Sequence, residues 1–205
     1  MSIDRTRVLQ ALRLKGRVQA DDLPAATGLD PSRSDDLVAG LGNEGHAERV
    51  GDRWKLTASG RGQLAGALAE ERRDVDQSRI VELYHRFDSH NTALKSLMTR
   101  WQLRAADTPN DHTDAEYDRA VITDLAQLDK EFQPLLAEVV EAAPRLDHYP
   151  ARLTNALTHI QDGDPSWFAR PLADSYHTVW FELHEELIGL IGRTRAEEAA
   201  AGRAQ

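Results

Sequence analysis

Apolar residues recur at helical spacing through most of the chain, and short turn signals divide them. In IDRTRVLQALRLKG, Val8 and Leu12 share one helical face with Leu9 beside them. Lys15-Gly16 supplies a basic last turn and a glycine stop. Val18 fits a short strand. Asp21 reads as the cap of a brief helix that runs to Thr27 and ends at Gly28. Asp30-Pro31 opens the next helix: the carboxylate accepts orphan N–H groups, and the proline sits where no donor is needed. Leu37 and Leu41 lie four apart on that helix, and Gly45 stops it. HAERV and RWKL then flank Gly51-Asp52, a pair suited to a two-residue hairpin turn, and Thr57 caps a further helix.

From Asp74 the pattern lengthens. Ile80, Tyr84, Phe87, Asn91, Leu94, Met98 and Trp101 alternate spacings of four and three, a seven-residue repeat that predicts a helix packed at a shallow angle in a bundle or a dimer seam. After the turn-rich loop AADTPNDHTD, a second long helix carries Val121, Leu125, Leu128, Phe132, Leu135 and Val139, with Pro134 expected to kink it or remove a hydrogen bond. Pro144 is expected to open a third helix with Leu146, Tyr149, Leu153, Leu157 and Ile160 inward, although Pro150 interferes with its first turn. Asp174-Ser175 caps a last one carrying Tyr176, Trp180, Leu183, Leu187 and Ile191, and the tail from Arg195 is expected to fray.

The expected fold is therefore mainly α with a small β-hairpin wing. A winged helix-turn-helix DNA-binding domain occupies 1–72, and a four-helix-bundle-like effector-binding and dimerisation domain occupies 73–205. Charge divides along the same line. Residues 1–70 carry ten basic and ten acidic side chains, and the rest carries fifteen against twenty-four, which accounts for the whole net charge of −9. A neutral module joined to an acidic one suggests two tasks. The chain has no cysteine, no apolar run of membrane-spanning length and no signal-peptide pattern, so the expected setting is cytoplasmic, with no membrane partner.

In a helix-turn-helix the second helix enters the major groove N-terminus first. Here Arg33 is placed to grip a guanine bidentately and Ser32 and Ser34 to reach bases or phosphates, while Asp35 and Asp36 repel the backbone. In the hairpin, Arg49, Arg53 and Lys55 are the expected phosphate contacts. Strand alternation puts Arg53 and Lys55 on one face and Trp54 on the other, toward Val50 or Leu56.

In the bundle, the expected site is an apolar small-molecule pocket. His177, Trp180, Phe181 and His184 would line one side, and Asn91, a polar residue in the heptad seam, the other. Seven of the eight histidines follow residue 80, yet the spacings do not make a metal site. Glu82-x-x-His85 has no second copy, and His177 and His184 stand about 10.5 Å apart by helix rise. There is no Gly-x-Ser-x-Gly elbow, phosphate-cradling glycine loop or cysteine nucleophile, and Glu185-Glu186 reads as surface charge. No catalysis, cofactor or metal is expected.

The run WKLTASGR resembles the strand and Leu-Thr-x-x-Gly-Arg passage that follows the wing in MarR-type regulators. NDHTDAEYD and DSYHTVWFELHEEL resemble an accessory helical domain of actinobacterial regulators of that type, and also segments attached to phosphoenolpyruvate-utilising enzymes. The first resemblance implies a ligand-responsive DNA-binding repressor that is a homodimer on double-stranded DNA. The layout departs from that family, whose dimerising helices flank the winged helix on both sides, because here the helical mass follows the hairpin. The competing expectation is a winged-helix adaptor that docks on a partner protein such as a metabolic enzyme and does not bind DNA.

Overall fold

The computed structural model describes residues 1–105, 108–170 and 173–200. The chain is mainly helical with a small three-stranded antiparallel sheet. Helix α1 (Ile3–Lys15) starts at an N-cap serine, Ser2. Strand β1 (Val18–Gln19) follows, and a 3-10 turn at Ala20–Asp22 precedes α2 (Leu23–Thr27), so the helix opens later than an Asp21 cap would place it. Helix α3 (Pro31–Asn43) begins with Pro31 in its first turn, but the Asp30 side chain makes no cap hydrogen bond. Strands β2 (Ala47–Val50) and β3 (Arg53–Leu56) form the hairpin, and β1 joins it on the far side of β3.

The run LTASGR has a structural reason at each specified position. Leu56 is buried. Thr57 Oγ1 accepts from Gly60 N at 3.1 Å to cap α4 (Ala58–Asp74) and donates to the Gly45 carbonyl at 2.7 Å, which ties the end of α3 to the end of the hairpin. A Cβ on Gly60 would lie 2.0 Å from the His46 carbonyl oxygen, so only glycine fits there. Arg61 donates to the Leu56 carbonyl at 3.2 Å. A core of Val8, Leu9, Leu12, Leu23, Val38, Leu41, Leu56 and Leu64 holds this module together.

A second core belongs to the remaining helices. These are α5 (Gln77–Gln102), α6 (Ala115–Ala142), α7 (Tyr149–Gln161) and α8 (Tyr176–Leu190), each packed on the next and α8 on α5, which closes a ring of four. All seven positions of the α5 heptad seam are buried within the one chain. Helix α6 is continuous through Pro134. Pro144 opens a 3-10 turn rather than a helix, and Pro150 sits in the first turn of α7, where a missing N–H costs nothing. A two-stranded ladder, β4 (Leu103–Ala105) with β5 (Thr108–Pro109), lies in the expected loop. The tail does not fray as expected over its described part: α9 (Arg195–Ala200) buries Glu198, which accepts from Tyr84 at 2.7 Å. Among the described residues, no helix is long and apolar enough to cross a membrane.

Candidate functional site

The first two turns of α3 form the exposed outer face of the N-terminal module. Ser32, Arg33, Asp35 and Asp36 are exposed. Ser34 is not available there: it is fully buried, its hydroxyl without a hydrogen-bond partner, because one position in each turn must face the Val38–Leu41 core. Arg33 donates from Nε to Asp4 at 3.0 Å, so its guanidinium is already partnered, though half-exposed. Such an exposed pair contributes on the order of 0–1 kcal/mol and exchanges readily.

The hairpin divides its cations between two faces. Arg49 pairs across the ladder with Trp54 and stacks over that ring at 5.5 Å, so it lies on the face of Trp54 and Leu56. Trp54 is only half-buried and leans on Gly42 of α3. Lys55 and Arg53 take the opposite face, as strand alternation predicts. Val50 shares that face with them and not with Trp54. Lys55 is bound to Glu48 at 3.0 Å, and Arg53 lines a cleft between the sheet and the bundle.

Helix α1 joins the two modules. Thr6 through Leu12 are all buried, the apolar stripe against the N-terminal core and the polar stripe against the bundle. Arg7 donates to the Arg145 carbonyl at 2.9 Å, and Gln10 donates to Glu186 at 2.9 Å. Arg145 grips Glu186 through both terminal nitrogens at 2.9 and 2.7 Å and reaches Glu71 of α4 at 2.8 Å. Burial works against its charge, but the two carboxylates outweigh it and raise its pKa. Glu71 itself is pushed up by burial. One helical turn further along α1, Lys15 and Arg152 share Asp174 and Glu182. Asp174 is held low: burial opposes its charge, and Arg152 and Lys15 more than compensate. Glu186 is therefore a buried interface residue and not surface charge. Glu185 stands 3.8 Å from Arg13. These groups were missed because α1 reads as an ordinary amphipathic helix. The available signal is the pair Glu182 and Glu186, four apart on one face of the helix VWFELHEELIGL.

The α2–α3 turn rests on the bundle as well. Gly28 has φ +70°, and a Cβ there would lie 2.7 Å from the His148 Cβ. His148 is buried and held well below its ordinary pKa, by burial first and then by the positive charges of Arg152, Arg7 and Arg145.

The residues expected to form a bundle pocket are mostly packed against one another. Asn91 Oδ1 accepts from Trp180 Nε1 at 3.2 Å. Trp180 stacks on Phe87 and meets Phe132 at a tilt, and His184 meets the Tyr84 hydroxyl at 3.3 Å. The seam asparagine thus satisfies a buried indole. His177 is exposed on α8, and Phe181 lines the sheet–bundle cleft. Among the described residues, no group of three or more His, Asp or Glu side chains is arranged to hold a metal ion. Compared with family models, curated proteins and solved structures, the chain matches none.

Proposed function

We propose that the protein is a DNA-binding transcriptional regulator: α2 and α3 act as a helix-turn-helix, the β2–β3 hairpin as its wing, and the bundle as the responsive part. The observation that carries this reading is the order and packing of residues 3–74, with β1 paired to β3, α3 presenting its first turns outward, and the hairpin beside it. Arg33 and Ser32 are the base-reading candidates, and Arg49 and Lys55 the backbone contacts. The protein works as a homodimeric repressor in cells, and because α5 spends its heptad seam inside one chain, the dimer uses another surface.

The buried charges between α1 and the bundle support a mechanism. A reading head tied to the bundle by Glu71–Arg145 and Lys15–Glu182 cannot rotate alone, so a ligand that favours one bundle packing changes the spacing of two recognition helices. The second reading is a protein-docking adaptor for a metabolic enzyme. It is favoured by the outer face of α3, where Asp35 and Asp36 stand exposed and Arg33 is occupied by Asp4. Fluorescence anisotropy with DNA from the protein's own promoter region, beside scrambled DNA at two salt concentrations, separates the two. Selective, salt-sensitive binding is expected. Equal, weak binding to both sequences would refute the regulator and favour the adaptor.

A further inference from the structure

Between the small sheet and α8 lies a cleft of about 540 Å³ whose lining residues include three arginines, Arg17, Arg53 and Arg170. Among the described residues none of the three belongs to an ion pair, although the surrounding protein carries a net charge of −9. The cleft's other charges are accounted for. Lys15, with Arg152 behind it, balances Asp174 and Glu182 in a closed set of four. Asp22 remains in the lining and Asp164 lies within the electrostatic reach of Arg170, so three cations face two carboxylates and one positive charge is left over. Trp167 and Phe181 supply aromatic surface in the same cleft. Phe181 is 37% exposed, unusual for a phenylalanine next to a packed core.

We propose that this cleft binds a small organic phosphate: a dianionic phosphoryl head held by Arg17, Arg53 and Arg170, and a planar apolar body against Phe181 and Trp167. A terminal phosphoryl group offers three oxygens to planar guanidinium forks, where a carboxylate offers two. The cations of the cleft outnumber its carboxylates, which favours an anionic occupant. Arg53 belongs to the hairpin and Phe181 to the bundle, so an occupant bridges the two modules away from the outer face of α3. The consequence for regulation rests on the DNA-binding reading. Occupancy does not.

The test is calorimetric titration of the full chain, without DNA, using phenyl phosphate, inorganic phosphate and phenol as probes. Phenyl phosphate is expected to bind saturably at one site per chain, with phenol inert. Arg53→Ala and Arg170→Ala should each weaken it about tenfold, the loss of one charge-assisted contact. Both side chains are exposed, and unchanged melting temperatures check that the variants fold. Phe181→Ala should weaken phenyl phosphate and leave inorganic phosphate unchanged. The proposal is overturned if phenyl phosphate gives no saturable heat, if phenol binds equally well, or if the arginine variants bind as the parent does. A protein that binds phenyl phosphate and no DNA would keep this inference and remove the regulator reading.

Discussion

Replacing Arg145 by methionine tests what it costs to break the buried charge cluster on which α1 and α4 rest. The Arg145 side chain is 3% exposed and that of Glu186 2%. In Arg145→Met the Glu186 carboxylate keeps only neutral donors, Gln10 at 2.9 Å and the Tyr149 hydroxyl at 3.4 Å. Breaking a buried pair from one side costs about 3–5 kcal/mol, because the remaining charge stays buried without compensation. At about 2–4 °C per kcal/mol for a chain of this size, the melting temperature should fall by about 6–20 °C. Arg86→Ala is the control, since its bond to Glu138 is at the surface and screened by solvent. The double variant Arg145→Met/Glu186→Leu removes both charges of this pair and should recover the part of the loss that comes from Glu186, leaving the part that comes from Glu71, which makes the coupling measurable. The pair need not stabilise the fold relative to an apolar one. The claim concerns the cost of breaking it. Urea unfolding followed by circular dichroism reads each midpoint at constant slope. A cost below about 1 kcal/mol for Arg145→Met, or singles that add without coupling, would mean that these charges are solvated and not a buried cluster.

Gly60→Ala should destabilise by about 1–3 kcal/mol through the clash with the His46 carbonyl, whereas Gly66→Ala, in open space on the same helix, should stabilise by about 0.5–1 kcal/mol; thermal melts compare them directly. His148 has a folded pKa well below its ordinary 6.5, so its contribution to stability is complete above that value and is lost as pH falls below it. Stability should therefore drop between pH 7 and pH 5, and His148→Gln should flatten that drop; an unchanged slope would assign it to other groups. Glu138 is held to about 2 by Arg86 and Arg79, so its contribution is present above its ordinary 4.5 and lost as pH falls toward 2. Carboxyl carbon NMR of Arg86→Ala should show its titration moving back up.

Much of the architecture is legible in the periodicity, because period 3.6 and period 2 report directly which face meets a core. The two long helices, their inward residues, the Thr57 cap and the hairpin are found where the spacing predicts. Local chemistry misleads where a second element covers a face that the helix itself cannot reveal. Gln10 and Arg7 look like the solvent side of α1 until the bundle buries them, and Glu186 looks like surface until Arg145 arrives from 41 residues away. Asn91 and His184 have partners that the sequence does not mark for the same reason: Trp180 and Tyr84 lie on other helices. Phe181 keeps its place on a cleft, but that cleft is bounded by the N-terminal sheet and not by α5.

The central claim is that α3 and the hairpin read DNA. Selection from a random duplex library with the full chain at low salt, followed by anisotropy on the enriched sequence, tests it most directly. Enrichment of a defined sequence is expected. Arg33→Ala should relax preference at one position, and Arg49→Ala should weaken all sequences and lower the salt slope by about one. A library that emerges unenriched, or an enriched sequence bound equally by Arg33→Ala, would contradict the account.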